Sequence, residues 1–187
     1  MQSNRLEKAI GIAVFGALAA SIMFIEIPVG GFLKLDLSDV IVLLAMSIYG
    51  VGAGIGVAAM KVVVHFILAG ASVGALIGDT AAFISSVAFV VPLYFLFIRH
   101  TGNWWERTLA AAIATASLTI IMALLNWAVL VPLYAAVMNF NLGTAMSTYI
   151  LTVVVPFNLL KGVVLTVVFL PFYKIVPWMI RRRTMVH

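Results

Sequence analysis

The chain has 187 residues, 65% hydrophobic and only 9% charged, with no cysteine and a formal charge of +5. Soluble domains are about 25% charged and 45–50% apolar, so this composition, with a mean hydropathy of +1.22, excludes an ordinary soluble enzyme and makes lipid the solvent for most side chains. The missing cysteines exclude disulfides, thiolate metal sites, iron–sulfur clusters and a cysteine nucleophile, and the length suits one domain.

A helix crosses about 30 Å of hydrocarbon with roughly 20 mainly apolar residues. Glycines, prolines and charge clusters divide residues 1–187 into six such segments, which predict one all-α integral membrane domain of six transmembrane helices. The short alternating segments of an outer-membrane barrel are missing from the pattern.

The first span covers 9–25 and stops at Glu26, Pro28 and Gly30-Gly31. Ala9, Ala13 and Ala17 recur at every fourth position, with Gly16 and Ala20 beside them. Small residues at this spacing let helices approach closely in lipid, so the stripe serves internal packing or docks another membrane protein. Arg5, Lys8 and Ala17-Leu18-Ala19 imitate a signal peptide, but the apolar run continues through Ile25, so the segment is expected to span and to be retained.

The loop from Gly30 to Asp39 alternates apolar residues with Lys34, Asp36 and Asp39. It predicts an extended lid, with Ser38 or Asp39 capping the next helix and Asp36 and Asp39 capping or solvating the loop, or else touching a substrate. The second span, 40–49, is short; the third covers 51–68. Between them, Gly50 to Gly56 fits neither the dinucleotide fingerprint nor the phosphate loop. It predicts a turn followed by a closely packing helix face. Lys61 and His65 share a face of the third span, and Asp79 lies near the start of the fourth, 75–98. The fifth, 109–138, holds Asn126 and is interrupted by Pro132; Trp127 is either a platform for a planar ligand or an interfacial anchor. The sixth, 149–176, has Pro156 near its start, Pro171 near its end, and Asn158 and Lys161 three residues apart on one face.

Lysine and arginine gather on the cytoplasmic side of membrane proteins. With six spans, Arg5, Lys8, Arg99, Arg107, Lys174 and Arg181 to Arg183 share a side, and the opposite loops hold Lys34 alone. Both termini are therefore expected in the cytoplasm, with Trp104, Trp105 and Trp178 as anchors at that interface. The basic charge reads as topology, and no nucleic-acid partner is expected.

An ionisable group costs about 2.5–3.5 kcal/mol at the centre of a span and usually faces a bundle interior or cavity. Lys61, His65, Asp79, Asn126, Asn158 and Lys161 fall mostly in the outer half by this orientation. Together with the loop they predict a pocket open to the outside and closed by a lid; the alternative is that they pair to pin helices together. His65, His100 and His187 are too far apart in sequence to suggest a metal site. No catalytic cluster, metal site or nucleotide motif is expected, so an ATP-driven step would need a partner.

These residues, taken together, resemble the substrate-binding S component of energy-coupling factor (ECF) vitamin transporters. The resemblance spans nearly the whole chain: the alanine stripe, Lys34-Leu35-Asp36-Leu37-Ser38-Asp39-Val40, Lys61 with His65, and Gly78-Asp79. Its most specific elements are Pro156-Phe157-Asn158-Leu159-Leu160-Lys161-Gly162, then Leu124-Leu125-Asn126 with Val131-Pro132-Leu133-Tyr134. The chain looks most like the riboflavin-specific members. The resemblance implies a six-helix vitamin-binding subunit of a prokaryotic plasma membrane importer that is not itself an enzyme and has no cofactor, the vitamin being bound as transported substrate. It implies a transmembrane T component docked on Ala9, Ala13 and Ala17, two cytoplasmic ATPases, and toppling of the S component to release vitamin inside. Substrate contacts would fall to Asn126, Asn158 and Lys161, with Lys34, Asp36 and Asp79 beside them. Val62 stands where members often have asparagine, and Ala81-Ala82-Phe83 where they often have Ala-Asn-Phe. An S component for hydroxymethylpyrimidine, pyridoxine or pantothenate is the alternative.

Overall fold

The computed structural model of the protein describes residues 2–30, 32–98, 103–139, 141 and 143–173. Arg99, His100, Lys174, Trp178, Arg181 to Arg183 and His187, to which orientation, anchoring or metal binding was related above, lie outside the described residues, as do the last residues of the sixth predicted span.

The first helix, α1 (Gln2–Met23), starts a full seven residues before the predicted apolar span, because its polar first turns continue the same helix. It ends at Met23, two residues short of the prediction. The chain then enters a small antiparallel ribbon, β1 (Ile27–Gly30) and β2 (Leu33–Leu35), with Ile27 opposite Leu35 and Pro28 opposite Lys34. Pro28 cannot continue a helix and is tolerated in so small a ribbon, which is all edge. The expected extended lid is thus a hairpin whose first strand begins three residues before the predicted loop, at Ile27.

α2 (Ser38–Tyr49) is only twelve residues long, and nine of them are buried. It packs against α1, α3 (Val51–Leu68), α4 (Val73–Leu93) and α8 (Val155–Tyr173). A helix too short to span bare hydrocarbon is stable here because protein, and not lipid, surrounds its polar ends. Gly50 joins α2 to α3 at φ 87°, a conformation that glycine adopts without strain. A Cβ on Gly54 would meet Met46 at 2.6 Å, so the glycine cluster is the turn and close-packing face expected. Ser72 caps α4 by accepting the Ala75 N–H at 3.1 Å, starting the helix two residues before the predicted boundary.

The remaining helices are interrupted by π-helical turns. α4 runs into one at Tyr94–Ile98, just after Pro92. α5 (Trp104–Leu125) leads through Asn126–Leu130 into α6 (Val131–Met138), and α7 (Met146–Tyr149) leads through Ile150–Val154 into α8. In the last two cases the turn closes with an i→i−5 bond, Val131 N–H to Asn126 C=O and Val155 N–H to Ile150 C=O, and proline follows one residue later. Proline lacks the N–H that would continue the α ladder, and a widened turn just before it reorganises the freed carbonyls.

Among the described residues, five helical stretches are long and apolar enough to cross a membrane, and Ser38–Tyr49 is a shorter apolar helix. The core lies where α2 to α5 and α8 meet, around Leu43, Val57, Phe89, Leu118 and Leu165. Leu6, Ile10, Val14 and Leu18 recur every fourth residue on α1 and are 48–65% exposed, an outward apolar face suited to lipid.

Candidate functional site

A cavity of about 510 Å³ opens between the hairpin and the neighbouring helix ends, within the range of small-molecule sites. Phe32, Leu33, Lys34 and Asp36 of the hairpin face it from one side. His65 of α3 and Gly78, Asp79, Ala82 and Ser85 of α4 form a wall, and Met122, Leu130 and Tyr134 form another. Phe157, Asn158 and Lys161 of α8 complete it, so the sequence candidates Lys34, Asp36, Asp79, Asn158 and Lys161 are brought together.

Asn126 differs. It is fully buried but does not line the cavity, whose wall is made on either side of it by Met122 and Leu130. Its amide donates to the Met122 carbonyl at 2.7 Å. Asn158 makes the same i−4 bond, to Val154 at 2.8 Å, and does line the cavity. In both, the side-chain oxygen is buried without a hydrogen-bond partner. A buried amide oxygen usually has a partner, so Asn158 carries a spare acceptor in a residue that lines the cavity.

The aspartates of the loop divide their roles differently from the expectation. Neither Ser38 nor Asp39 caps α2: Leu37 holds the cap position without a side-chain bond, and the Asp36 carboxylate accepts the Ser38 N–H at 2.9 Å and the Ser38 hydroxyl. Asp39 turns inward, 1% exposed, onto Lys61 at 2.6 Å, and accepts from Ser86 as well. Lys61 also donates to Ser38 at 2.8 Å. Lys161 donates to Ser85 at 3.0 Å and stands 3.4 Å from the second Asp39 oxygen. One carboxylate therefore ties α2, α3, α4 and α8 together. The spans signal Lys61 and Lys161, but their counter-ion lies 22 and 122 positions away in sequence from the two lysines, beyond the reach of local spacing.

At the cavity, His65 Nδ1 lies 2.7 Å from Asp79 Oδ1 on the next helix, and Phe24 packs over the histidine ring with 4.6 Å between centroids. Lys34 pairs with Glu26 across the base of the hairpin. Phe32 stacks on Tyr134 at 4.2 Å and 19°, a flat aromatic surface on the cavity wall. Gly78 lies close beside it: a Cβ there would be 3.3 Å from the Tyr134 hydroxyl, a tight contact. Phe32, Ser85 and Glu26 were not singled out from the sequence; the adjacent serines Ser85 and Ser86 inside an apolar span are the signal that could have found one of them. Trp127 is 53% exposed and off the cavity, which favours an anchor. Ala9, Ala13 and Ala17 are exposed, while Gly16 and Ala20 beside them are buried, so the stripe does not pack internally. Among the described residues no group of three or more His, Cys, Asp or Glu could hold a metal ion.

The likeness to known proteins covers the same elements. A family model described as "ECF transporter, substrate-specific component" matches residues 8–173. The riboflavin transporter FmnP of Bacillus subtilis is 33% identical over 96% of this chain and 97% of its own. The riboflavin transporter RibU of Staphylococcus aureus is 31% identical over 93% of this chain and 91% of its own. A solved chain, described under "Structure and mechanism of the S component of a bacterial ECF transporter", superposes with a TM-score of 0.75 at 30% identity, covering 91% of this chain and 95% of that one. Both the fold around the cavity and the sequence that builds it place the chain in the ECF transporter family, as a substrate-specific membrane component and not an enzyme.

Proposed function

We propose that this chain is the riboflavin-binding S component of an ECF importer in a bacterial cell membrane. The relatives named as riboflavin transporters support the ligand, and one geometric observation carries the reading. Asn158, with an unpartnered acceptor oxygen, and Lys161, with a donor ammonium, flank a mainly apolar cavity beside the flat Phe32–Tyr134 surface. An uncharged planar tricycle with a hydroxylated chain needs an apolar slot, aromatic faces and a few hydrogen bonds, not an ion cage.

In this reading 1–187 is one six-span domain, with α2 as the short second span and both termini in the cytoplasm. The hairpin lids the cavity on the outer side. Lys34, Asp36 and Asp79 join Asn158 and Lys161 around the vitamin, with Asn126 behind the wall that Met122 and Leu130 form. A T component docks on Ala9, Ala13 and Ala17, and two ATPase subunits supply the energy.

Titration of the purified subunit with riboflavin, followed by quenching of flavin fluorescence, tests the ligand. Saturable binding at micromolar affinity or tighter is expected, with at least a tenfold loss, about 1.4 kcal/mol, in Asn158→Ala. No riboflavin binding, or binding of hydroxymethylpyrimidine, pyridoxine or pantothenate in its place, would overturn it.

A further inference from the structure

Asp39 does not line the cavity, yet the way its two oxygens are used separates it from an ordinary helix-pinning acid. Oδ1 takes Lys61 at 2.6 Å and the Ser86 hydroxyl, which is enough to join α2, α3 and α4. Oδ2 takes no hydrogen bond and faces Lys161 at 3.4 Å. That distance is an ion pair looser than a good hydrogen bond. It compensates the charge of a lysine that is only 4% exposed without consuming its hydrogen-bonding capacity. Lysine has a flexible four-carbon stem and three rotatable donors. Ser85 and Asp39 fix two directions for Lys161, which keeps its place in the cavity wall.

We infer that Asp39 is a positioning residue for the ligand: acting through Lys161, and without touching the ligand itself, it holds that ammonium against the cavity wall as a neutralised hydrogen-bond donor. The inference rests on the riboflavin reading given above. It also explains how a site with a buried lysine can suit an uncharged ligand, because the wall offers a donor and little net charge.

The test is a double-mutant cycle in riboflavin affinity on the purified full chain: wild type, Asp39→Asn, Lys161→Met and the double variant. Each single substitution should weaken binding at least tenfold. The double variant should be no more than about threefold weaker than the weaker single one, since residues acting through one contact are not additive. A merely structural Asp39 predicts the opposite, wild-type affinity in folded Asp39→Asn or losses that multiply in the double variant, and either result overturns the inference. If Asp39→Asn does not fold, Asp39→Asn combined with Lys61→Met removes an acid and a base together. That variant should also bind at least tenfold more weakly, and wild-type affinity there would overturn the inference. A wild-type protein that fails to bind riboflavin would overturn the riboflavin reading itself and the inference with it, whereas wild-type binding with an unaffected Asp39 variant would overturn the inference alone.

Discussion

Lys61 and His65 lie one turn apart on α3, and each faces an aspartate on another helix, but the two pairs are built differently. Lys61 and Asp39 have side chains 1% and 0% exposed; Ser38 and Ser86 add hydrogen bonds, and Lys161 approaches the far oxygen. His65 and Asp79 have side chains 11% and 7% exposed, Asp79 Oδ2 has no hydrogen-bond partner, and both residues line the cavity. The deep pair has a second counter-charge as well, since the Asp39 oxygen that takes no hydrogen bond faces Lys161, which suits a charge inside a low-dielectric bundle. The upper pair is the more exposed of the two and borders the cavity. A single turn of helix thus separates a junction that holds four helices from a contact available to the cavity.

Removing one partner from each pair sharpens this distinction. Lys61→Met leaves the Asp39 carboxylate in the core with only the looser Lys161 contact for compensation, and should destabilise the protein by about 3–5 kcal/mol, the range for a broken buried pair. Asp79→Ala removes one hydrogen bond to a charged or polar ring at a partly open site and should cost about 1.5–3 kcal/mol. Denaturant or thermal melts of the two purified variants without ligand check both values. Equal losses would mean that the turn of helix between them makes no difference, and the comparison would fail.

Much of this arrangement is legible in the sequence, and the parts that are not share one cause. Apolar length finds the membrane helices, and the cost of charge in lipid marks Lys61, His65, Asp79, Asn158 and Lys161 as facing inward. Periodicity says which face such a residue is on but not what it meets there. Asp39, just before the predicted span, has the sequence position of a capping group, and only the packing of α3 and α8 turns it into a counter-ion. Asn126 and Asn158 look equivalent, each a lone amide near a proline. Asn126 opens its π turn whereas Asn158 follows the end of its own, so the two amides end at different places relative to the cavity. The hairpin is half legible for a different reason: alternation marks the segment from Gly30 as extended, but nothing local says that Ile27 and Pro28 pair with Leu35 and Lys34.

Lys34 with Glu26 is a further charge pair and more open than either of these, with side chains 53% and 29% exposed. It extends the comparison outward. An exposed pair gains little from Coulomb attraction and loses side-chain freedom, so Lys34→Met should change stability by less than about 1 kcal/mol. Whatever difference exists should shrink further at high salt, because screening acts on exposed charges and spares buried ones. Melts of Lys34→Met beside Lys61→Met at low and high salt measure both effects. A Lys34→Met loss as large as that of Asp79→Ala, persisting in salt, would show that the hairpin is anchored as firmly as the helices beneath it. The small loss expected leaves the hairpin bound chiefly by Leu33 in its apolar contacts and by the Phe32–Tyr134 stack, attachments that can separate without stranding a charge.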